Sequence, residues 1–376
     1  MKIERIELFA VRLPLKAVLT LARGASRSIE EGKRLVLLKM TGDDGTVGWG
    51  ESGPSRRWSA ETLESCLTSL REYLVPAVLG RDPFDIAGLH ESMNRELAPM
   101  LDPGQPIAKN AIDVAAHDLV CRKLGIPLQA WFGAKRRSEV RLARLVSAET
   151  PEQAARITRE AVAEGYRGFK VKVGHWPARD ADILRAVRDA AEDGFVWPDA
   201  NQGYDTEQAL TMARLCAGLG ITIFEQPVSV SNILGLEALR RSGLVTVVLD
   251  ESVMSPAMII DFLRRDLVEG IAVKVNKAGG LHHARQMCDI ALNSGLKLIG
   301  SGLMDAPIGF VASSHLFAAY GMDLPVDLNG PQFIAEDYLR EPLALERQTF
   351  RIPDRPGLGI EIDEEKVARF RLPVAA

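Results

Sequence analysis

Residues 168–173 read Gly-Phe-Lys-Val-Lys-Val, residues 195–201 Phe-Val-Trp-Pro-Asp-Ala-Asn, and residues 221–227 Ile-Thr-Ile-Phe-Glu-Gln-Pro. Residues 245–252 then read Val-Thr-Val-Val-Leu-Asp-Glu-Ser, and residues 270–276 Gly-Ile-Ala-Val-Lys-Val-Asn. Each is a short apolar run that ends in charged residues, and a helical segment separates each from the next. The rhythm is regular: Lys172 to Asp199 is 27 positions, then 26 to Glu225, 25 to Asp250 and 24 to Lys274. With Val140–Val146, Lys297–Ile299 and Leu324–Val326 the runs number eight, which predicts a parallel sheet with crossover helices. Units of this size fit a closed (β/α)8-type barrel. A doubly wound open sheet would carry a glycine-rich phosphate loop after its first strand, and none follows Val146.

Outside the barrel the pattern changes. Residues 1–50 are β-rich, with alternating segments at Ile3–Val11 and Arg34–Met40 and a turn at Asp43-Asp44-Gly45. Ala60–Leu79 and Ala108–Leu124 have helical spacing, and Gly125-Ile126-Pro127 stops the second. Leu343–Phe370 reads as strands and turns. The predicted fold class is therefore α/β, a (β/α)8-type barrel with an α+β N-terminal capping domain completed by the C-terminal segment. The expected boundaries are 1–125 for the cap, 126–342 for the barrel and 343–376 for the segment that packs back on the cap.

The chain has 376 residues, 47% hydrophobic, with 46 basic and 50 acidic side chains well mixed and a net charge of −4. Wholesale disorder is excluded, and so is the basic footprint of a nucleic-acid binder. A small-molecule partner is expected. Cys66, Cys121, Cys216 and Cys288 are too dispersed for a disulfide framework or a zinc site and read as buried thiols. The N-terminus lacks the order of a signal peptide, and no run of about 18 apolar residues occurs, so a cytoplasmic protein away from membranes is expected.

In a parallel barrel, chemistry sits at the C-terminal ends of the strands. Period-two geometry puts Lys170 and Lys172 on one face. Asp199, Glu225 and Asp250 end the next three runs, and Lys274 ends the sixth. Three converging acids repel unless a cation joins them, and oxygen ligands without histidine or cysteine favour Mg²⁺ over zinc. Any single strand-end acid is more often a helix cap or a surface ion pair. Five such placements in consecutive units, acids central and lysines flanking, are not independent accidents.

This set resembles the enolase superfamily, muconate lactonizing (cycloisomerase) subgroup. The matching stretches are Gly48-Trp49-Gly50-Glu51, Ala111-Ile112-Asp113, Asp118-Leu119 and Gly125-Ile126-Pro127-Leu128, then Lys170-Val171-Lys172, Asp199-Ala200-Asn201, Glu225-Gln226-Pro227, Asp250-Glu251-Ser252 and Lys274 leading to Ala278-Gly279-Gly280. The resemblance implies that Asp199, Glu225 and Asp250 ligate Mg²⁺, with Mn²⁺ as a substitute ion. Lys172 and Lys274 would be acid/base groups on opposite faces of the substrate, with Lys170 beside Lys172 as an electrostatic helper. Asn201 and Glu251 would support the metal shell, and a homo-oligomer is the family habit. The family chemistry is a lysine base paired with Mg²⁺ that stabilises an enediolate. Neighbouring ammonium groups and a cation are expected to lower the lysine pKa.

The constellation fixes the partial reaction and not the product. A cycloisomerase or a racemase/epimerase of a small carboxylate or amino-acid derivative is the main reading. A lyase of the o-succinylbenzoate synthase or hydroxyproline dehydratase kind uses the same intermediate, and a ligand-binding barrel without catalysis is a remote alternative. Asp305 stands where relatives commonly carry glutamate. Asp327-Leu328-Asn329 stands where dipeptide epimerases have the Asp-x-Asp that holds a substrate ammonium. Both sites, with Asn329, are candidate substrate contacts. So are Arg23 and Trp58 in the loops expected to cap the barrel mouth, where arginine suits a second carboxylate. The six histidines are assigned no role.

Overall fold

The computed structural model describes residues 1–18, 20–21, 24–25, 28–100, 102–133, 135–191 and 193–373. The alternating N-terminal segments form an antiparallel sheet of Ile3–Leu13, Lys33–Gly42 and Val47–Ser52, with Lys33–Gly42 central. Its inner face is covered by the helix Pro106–Leu124, which is buried along most of its length. Gly48 and Gly50 permit that approach: a Cβ at Gly50 would lie 1.8 Å from the carbonyl oxygen of Ala111, and one at Gly48 2.2 Å from that of Ala115.

Seven parallel strands then run in sequence order around a curled sheet: Arg144–Val146, Gly168–Lys172, Phe195–Asp199, Ile223–Glu225, Thr246–Leu249, Gly270–Val273 and Lys297–Gly300. A helix follows each, from Pro151–Ala163 to Pro307–Ala319. Proline at the first turn or a side-chain cap from Thr150, Asp205, Asn232 or Ser255 starts most of them. Ala143, Trp197, Ile223, Val248, Ala272 and Ile299 pack together inside the ring. Phe169, Val171, Phe224 and Leu249 belong to the core beneath the helices, as alternation requires.

Two runs depart from expectation. Leu324–Val326 does not form a strand: Pro325 has no N–H to donate, so only Val326 and Asp327 pair. Val326 bridges Leu142 and Asp327 bridges Ser301, which closes the ring between the first and seventh strands. The run Val140–Val146 is split into two strands. Glu139–Arg141 pairs antiparallel with Thr349–Arg351, while Arg144–Val146 pairs with the barrel. The switch occurs at Leu142, whose N–H donates to Gln348, and Ala143, whose N–H donates to Val326.

The C-terminal segment meets both parts of the molecule. Besides the pairing of Thr349–Arg351, the Arg12 N–H donates to Phe370 and the Leu372 N–H to Ala10, at the edge of the N-terminal sheet. The four cysteines are buried and free. Among the described residues no helix is long and apolar enough to cross a membrane.

Candidate active site

Strand register brings the charged ends together. Lys172 pairs with Asp199 across the second and third strands, and Asp199 pairs with Glu225 across the third and fourth. Asp250 follows Leu249 at the end of the fifth strand, and Lys274 follows Val273 at the end of the sixth. Asp199, Glu225 and Asp250 are fully buried, and Lys170 and Lys274 nearly so.

Each lysine of the sequence reading meets an acid. Lys172 Nζ lies 2.7 Å from Asp199 Oδ2 and 2.7 Å from Asn201 Oδ1. On the other side, Lys274 Nζ lies 2.6 Å from Asp250 Oδ2. Lys170 does not stand merely beside Lys172. Its ammonium lies among three carboxylates, 2.7 Å from Glu225 Oε1, 3.0 Å from Asp199 Oδ2 and 2.9 Å from Asp327 Oδ2.

Other groups here were not assigned roles from the sequence. Lys277 Nζ donates to both the main-chain oxygen and Oδ1 of Asp250, and its i+3 spacing from Lys274 was the available signal. Trp197, inside the barrel, donates its indole N–H to Glu225 Oε2 at 2.9 Å. Gln226 holds a left-handed backbone at φ 35°, and its carboxamide oxygen accepts the N–H groups of Asp250 and Ser252. It thereby locks the ends of the fourth and fifth strands together. Asn201 links the two sides by donating to Glu251 Oε1 at 3.1 Å.

Burial and neighbouring charges act against each other on these lysines. Burial alone would pull Lys170 and Lys274 down, but the carboxylates around them win, and both are held above the ordinary lysine range. Burial also pushes Lys277 down. The acids are crowded in turn. Burial and the neighbouring Asp199 raise Glu225 to about 7, and burial with Asp250 raises Glu251. Asp199, despite burial, is held at about 2 by Lys170 and Lys172.

A hard dication suits this donor set. Asp199, Glu225, Asp250 and Asp327 each touch an ammonium of Lys170, Lys172, Lys274 or Lys277, and Glu251 joins the cluster through Asn201. Glu251 Oε2 is buried with no partner among the described residues. Every candidate ligand is a carboxylate oxygen, the donor type that Mg²⁺ takes. Among the described residues no three such side chains already converge at ligand distance; ammonium groups lie between them instead.

Trp58 lies over Lys274, with its ring centroid 4.4 Å from Nζ. Asp327 is engaged by Lys170 and by Asn329, whose Nδ2 is 2.8 Å from its Oδ1. Asp305 Oδ1 accepts from Asn276 Nδ2 at 2.7 Å and from the Leu303 N–H, and burial with nearby Glu51 raises its carboxyl to about 6. Arg23 lies outside the described residues. Glu51, present in the matching stretches, accepts the Ala306 and Gly309 N–H groups and the Tyr338 hydroxyl, so it caps the seventh barrel helix from the N-terminal sheet. Asp113 accepts the N–H groups of Leu281 and His282 in the same way and also meets His90 and His117.

Two family models cover this architecture. The one described as enolase C-terminal domain-like matches residues 153–366, and the mandelate racemase / muconate lactonizing enzyme N-terminal domain matches residues 6–133. The chain belongs to the mandelate racemase/muconate lactonizing enzyme family. It is 28% identical to N-succinyl-L-Arg/Lys racemase of Bacillus cereus over 367 residues, covering 97% of this chain and 96% of that one. It is 32% identical to muconate cycloisomerase 1 of Rhodococcus opacus, over 89% and 90% of the two chains. The crystal structure of the Bacillus cereus racemase superposes with a TM-score of 0.93 at 27% identity, over 99% of each chain. That of a dipeptide epimerase from Enterococcus faecalis, complexed with Mg and the dipeptide L-Leu-L-Tyr, gives 0.89 at 28% identity over 96% and 99%. These relatives of the mandelate racemase/muconate lactonizing enzyme family are isomerases that share its capped-barrel architecture.

Proposed function

We propose that this member of the family is a Mg²⁺-dependent isomerase that moves the proton α to a carboxylate, with Lys172 and Lys274 as the acid/base pair. One observation carries the reading: the two ammonium groups sit on different acids of one buried cluster, Lys172 on Asp199 and Lys274 on Asp250. A substrate held between them is reached from two sides, which is what removal on one face and return on the other requires.

Asp199, Glu225 and Asp250 would hold the cation. Its contribution is positive charge where the enediolate develops a second negative charge. The chain's own residues do the rest. Of Lys172 and Lys274, the one that is a neutral amine takes the α-proton and leaves the enediolate, and the other, as an ammonium, then delivers a proton to the opposite face. Lys170 holds Glu225, Asp199 and Asp327 in place and keeps their oxygens from repelling each other. Asn201 orients the Lys172 amine, and Lys277 keeps Asp250 ionised and aligned. Trp58 covers the Lys274 side, which limits water access to that amine.

The reading is tested by incubating the Mg²⁺-loaded protein with chiral α-substituted carboxylates in deuterated water. Wild type should incorporate solvent deuterium from both enantiomers. Lys172→Ala and Lys274→Ala should each lower isomerisation by about 10²–10⁴-fold. Each should retain exchange from one enantiomer, and not the same one. Unchanged exchange in either variant would remove that lysine from the mechanism.

A further inference from the structure

Lys33 opens the central strand of the N-terminal sheet, Lys33–Gly42, yet the residue is only 1% exposed. Its ammonium joins the two parts of the molecule. Nζ donates to the main-chain oxygen of Leu303 at 2.9 Å, in the loop after the seventh barrel strand. It also donates to the main-chain oxygen of Gly53 at 3.3 Å, just past the strand Val47–Ser52. Gly53 leaves room for the amine, since a Cβ there would lie 3.2 Å from Nζ. Burying an ammonium is costly. What lysine adds here over an apolar side chain of its size is a set of donors that holds two oxygens, one on each part of the molecule, at fixed places.

Both ends of this tie lead to Lys274. Five positions beyond Gly53, across a turn in which the Ser55 oxygen accepts the Trp58 N–H at 2.8 Å, the Trp58 ring lies over the Lys274 amine. On the barrel side, the Leu303 N–H at 3.3 Å and Asn276 Nδ2 at 2.7 Å donate to the same Asp305 Oδ1, and Asn276 stands two positions after Lys274. Lys172 is held instead by Asp199 and Asn201, both on the barrel.

We infer that Lys33 is a positioning residue for Lys274: it fastens the Gly53–Trp58 loop to the barrel at Leu303 and so keeps the Trp58 ring over that amine. Lys33 acts through the two loops and carries no proton itself. Because the tie serves one amine of the pair, its loss is felt on one face of the substrate. The inference rests on the proton-transfer reading and adds to it a residue of the N-terminal sheet on which one of the two amines depends.

Two readouts test it, one of them free of any substrate. Mg²⁺-loaded protein is treated briefly with formaldehyde and cyanoborohydride, and methylation at Lys274 and Lys172 is measured by peptide mass spectrometry. Lys33→Met should raise labelling of Lys274 relative to Lys172 by at least about 10-fold, the loop opening expected when a hydrogen bond from a charged group is lost. Gly53→Val, which crowds the amine away from the loop, should do the same and decides the matter if the methionine variant fails to fold. The second readout is deuterium incorporation into chiral α-substituted carboxylates. Lys33→Met should lose about 10²-fold of the exchange from the enantiomer that Lys172→Ala still exchanges, and little from the other. An unchanged ratio of Lys274 to Lys172 labelling in both variants overturns the inference, as does an equal loss of exchange from both enantiomers. Selective labelling of Lys274 without any deuterium exchange in wild type would sink the proton-transfer reading and leave the tie standing. Exchange that obeys the Lys172 and Lys274 variants but ignores residue 33 would do the reverse.

Discussion

Lys277 Nζ lies 2.6 Å from the main-chain oxygen of Asp250 and 2.8 Å from its Oδ1, while Oδ2 of the same carboxylate faces Lys274. Asp250 is thus held by two ammonium groups, one facing the candidate reaction site and one locking the strand end from behind. Lys277 is fully buried, and Asp250 is the nearest acid that compensates its charge.

Replacing it should therefore cost stability as well as activity. We expect Lys277→Met to destabilise the fold by about 3–5 kcal/mol, the usual consequence of breaking a buried pair. Urea denaturation reads the loss directly, and a change under about 1 kcal/mol would mean that Asp250 is held by other groups.

Cation binding offers a second check. Asp250→Asn keeps the shape but removes one charge from the acid cluster, and it should weaken Mg²⁺ binding by at least about 10-fold in isothermal titration. Chelation of wild type should abolish deuterium exchange, and added Mg²⁺ should restore it. Full exchange in excess chelator would refute the cation's part.

Close packing between the N-terminal sheet and its helix is tested at Gly50. A methyl group there meets the Ala111 carbonyl, a backbone atom that cannot rotate away. Gly50→Ala should destabilise by about 1–3 kcal/mol or more, visible as a lowered melting temperature. An unchanged value would show that the helix can shift freely.

His283 gives a pH prediction. Burial and the adjacent His90 hold its imidazole down at about 4 in the folded protein. Between that value and the ordinary value near 6.5, the unfolded chain binds a proton that the folded one does not. Stability from this group is complete above about pH 6.5 and is lost as pH falls toward 4. His283→Leu should flatten that part of the pH–stability curve measured by chemical denaturation, and an identical slope would show that other groups set it.

Much of the site was legible because strand ends carry chemistry and strands have a period of two. Lys170 and Lys172 share a face, and Lys172, Asp199 and Glu225 come abreast, as alternation and even spacing require. Local strand pairing was not legible. Pro325 interrupts the eighth strand, and Leu142 redirects half of the first to the C-terminal segment. Only the folded arrangement sets Lys170 and Lys274 against carboxylates that hold both above the ordinary lysine range despite burial.

The amino-acid order by itself determined the alternation of short apolar runs with helices, the residue at each strand end and hence the acid-rich ring between lysines. These are periodic, local properties that neighbouring residues encode. Only the tertiary structure decided that Lys170 sits amid three acids, that Lys277 backs Asp250, that Glu51 caps a barrel helix from another sheet, and that Asn329 leaves an acceptor unpaired. The contacts of Lys170, Lys277 and Glu51 join groups far apart along the chain, and their existence depends on distances of a few ångströms that spacing does not carry.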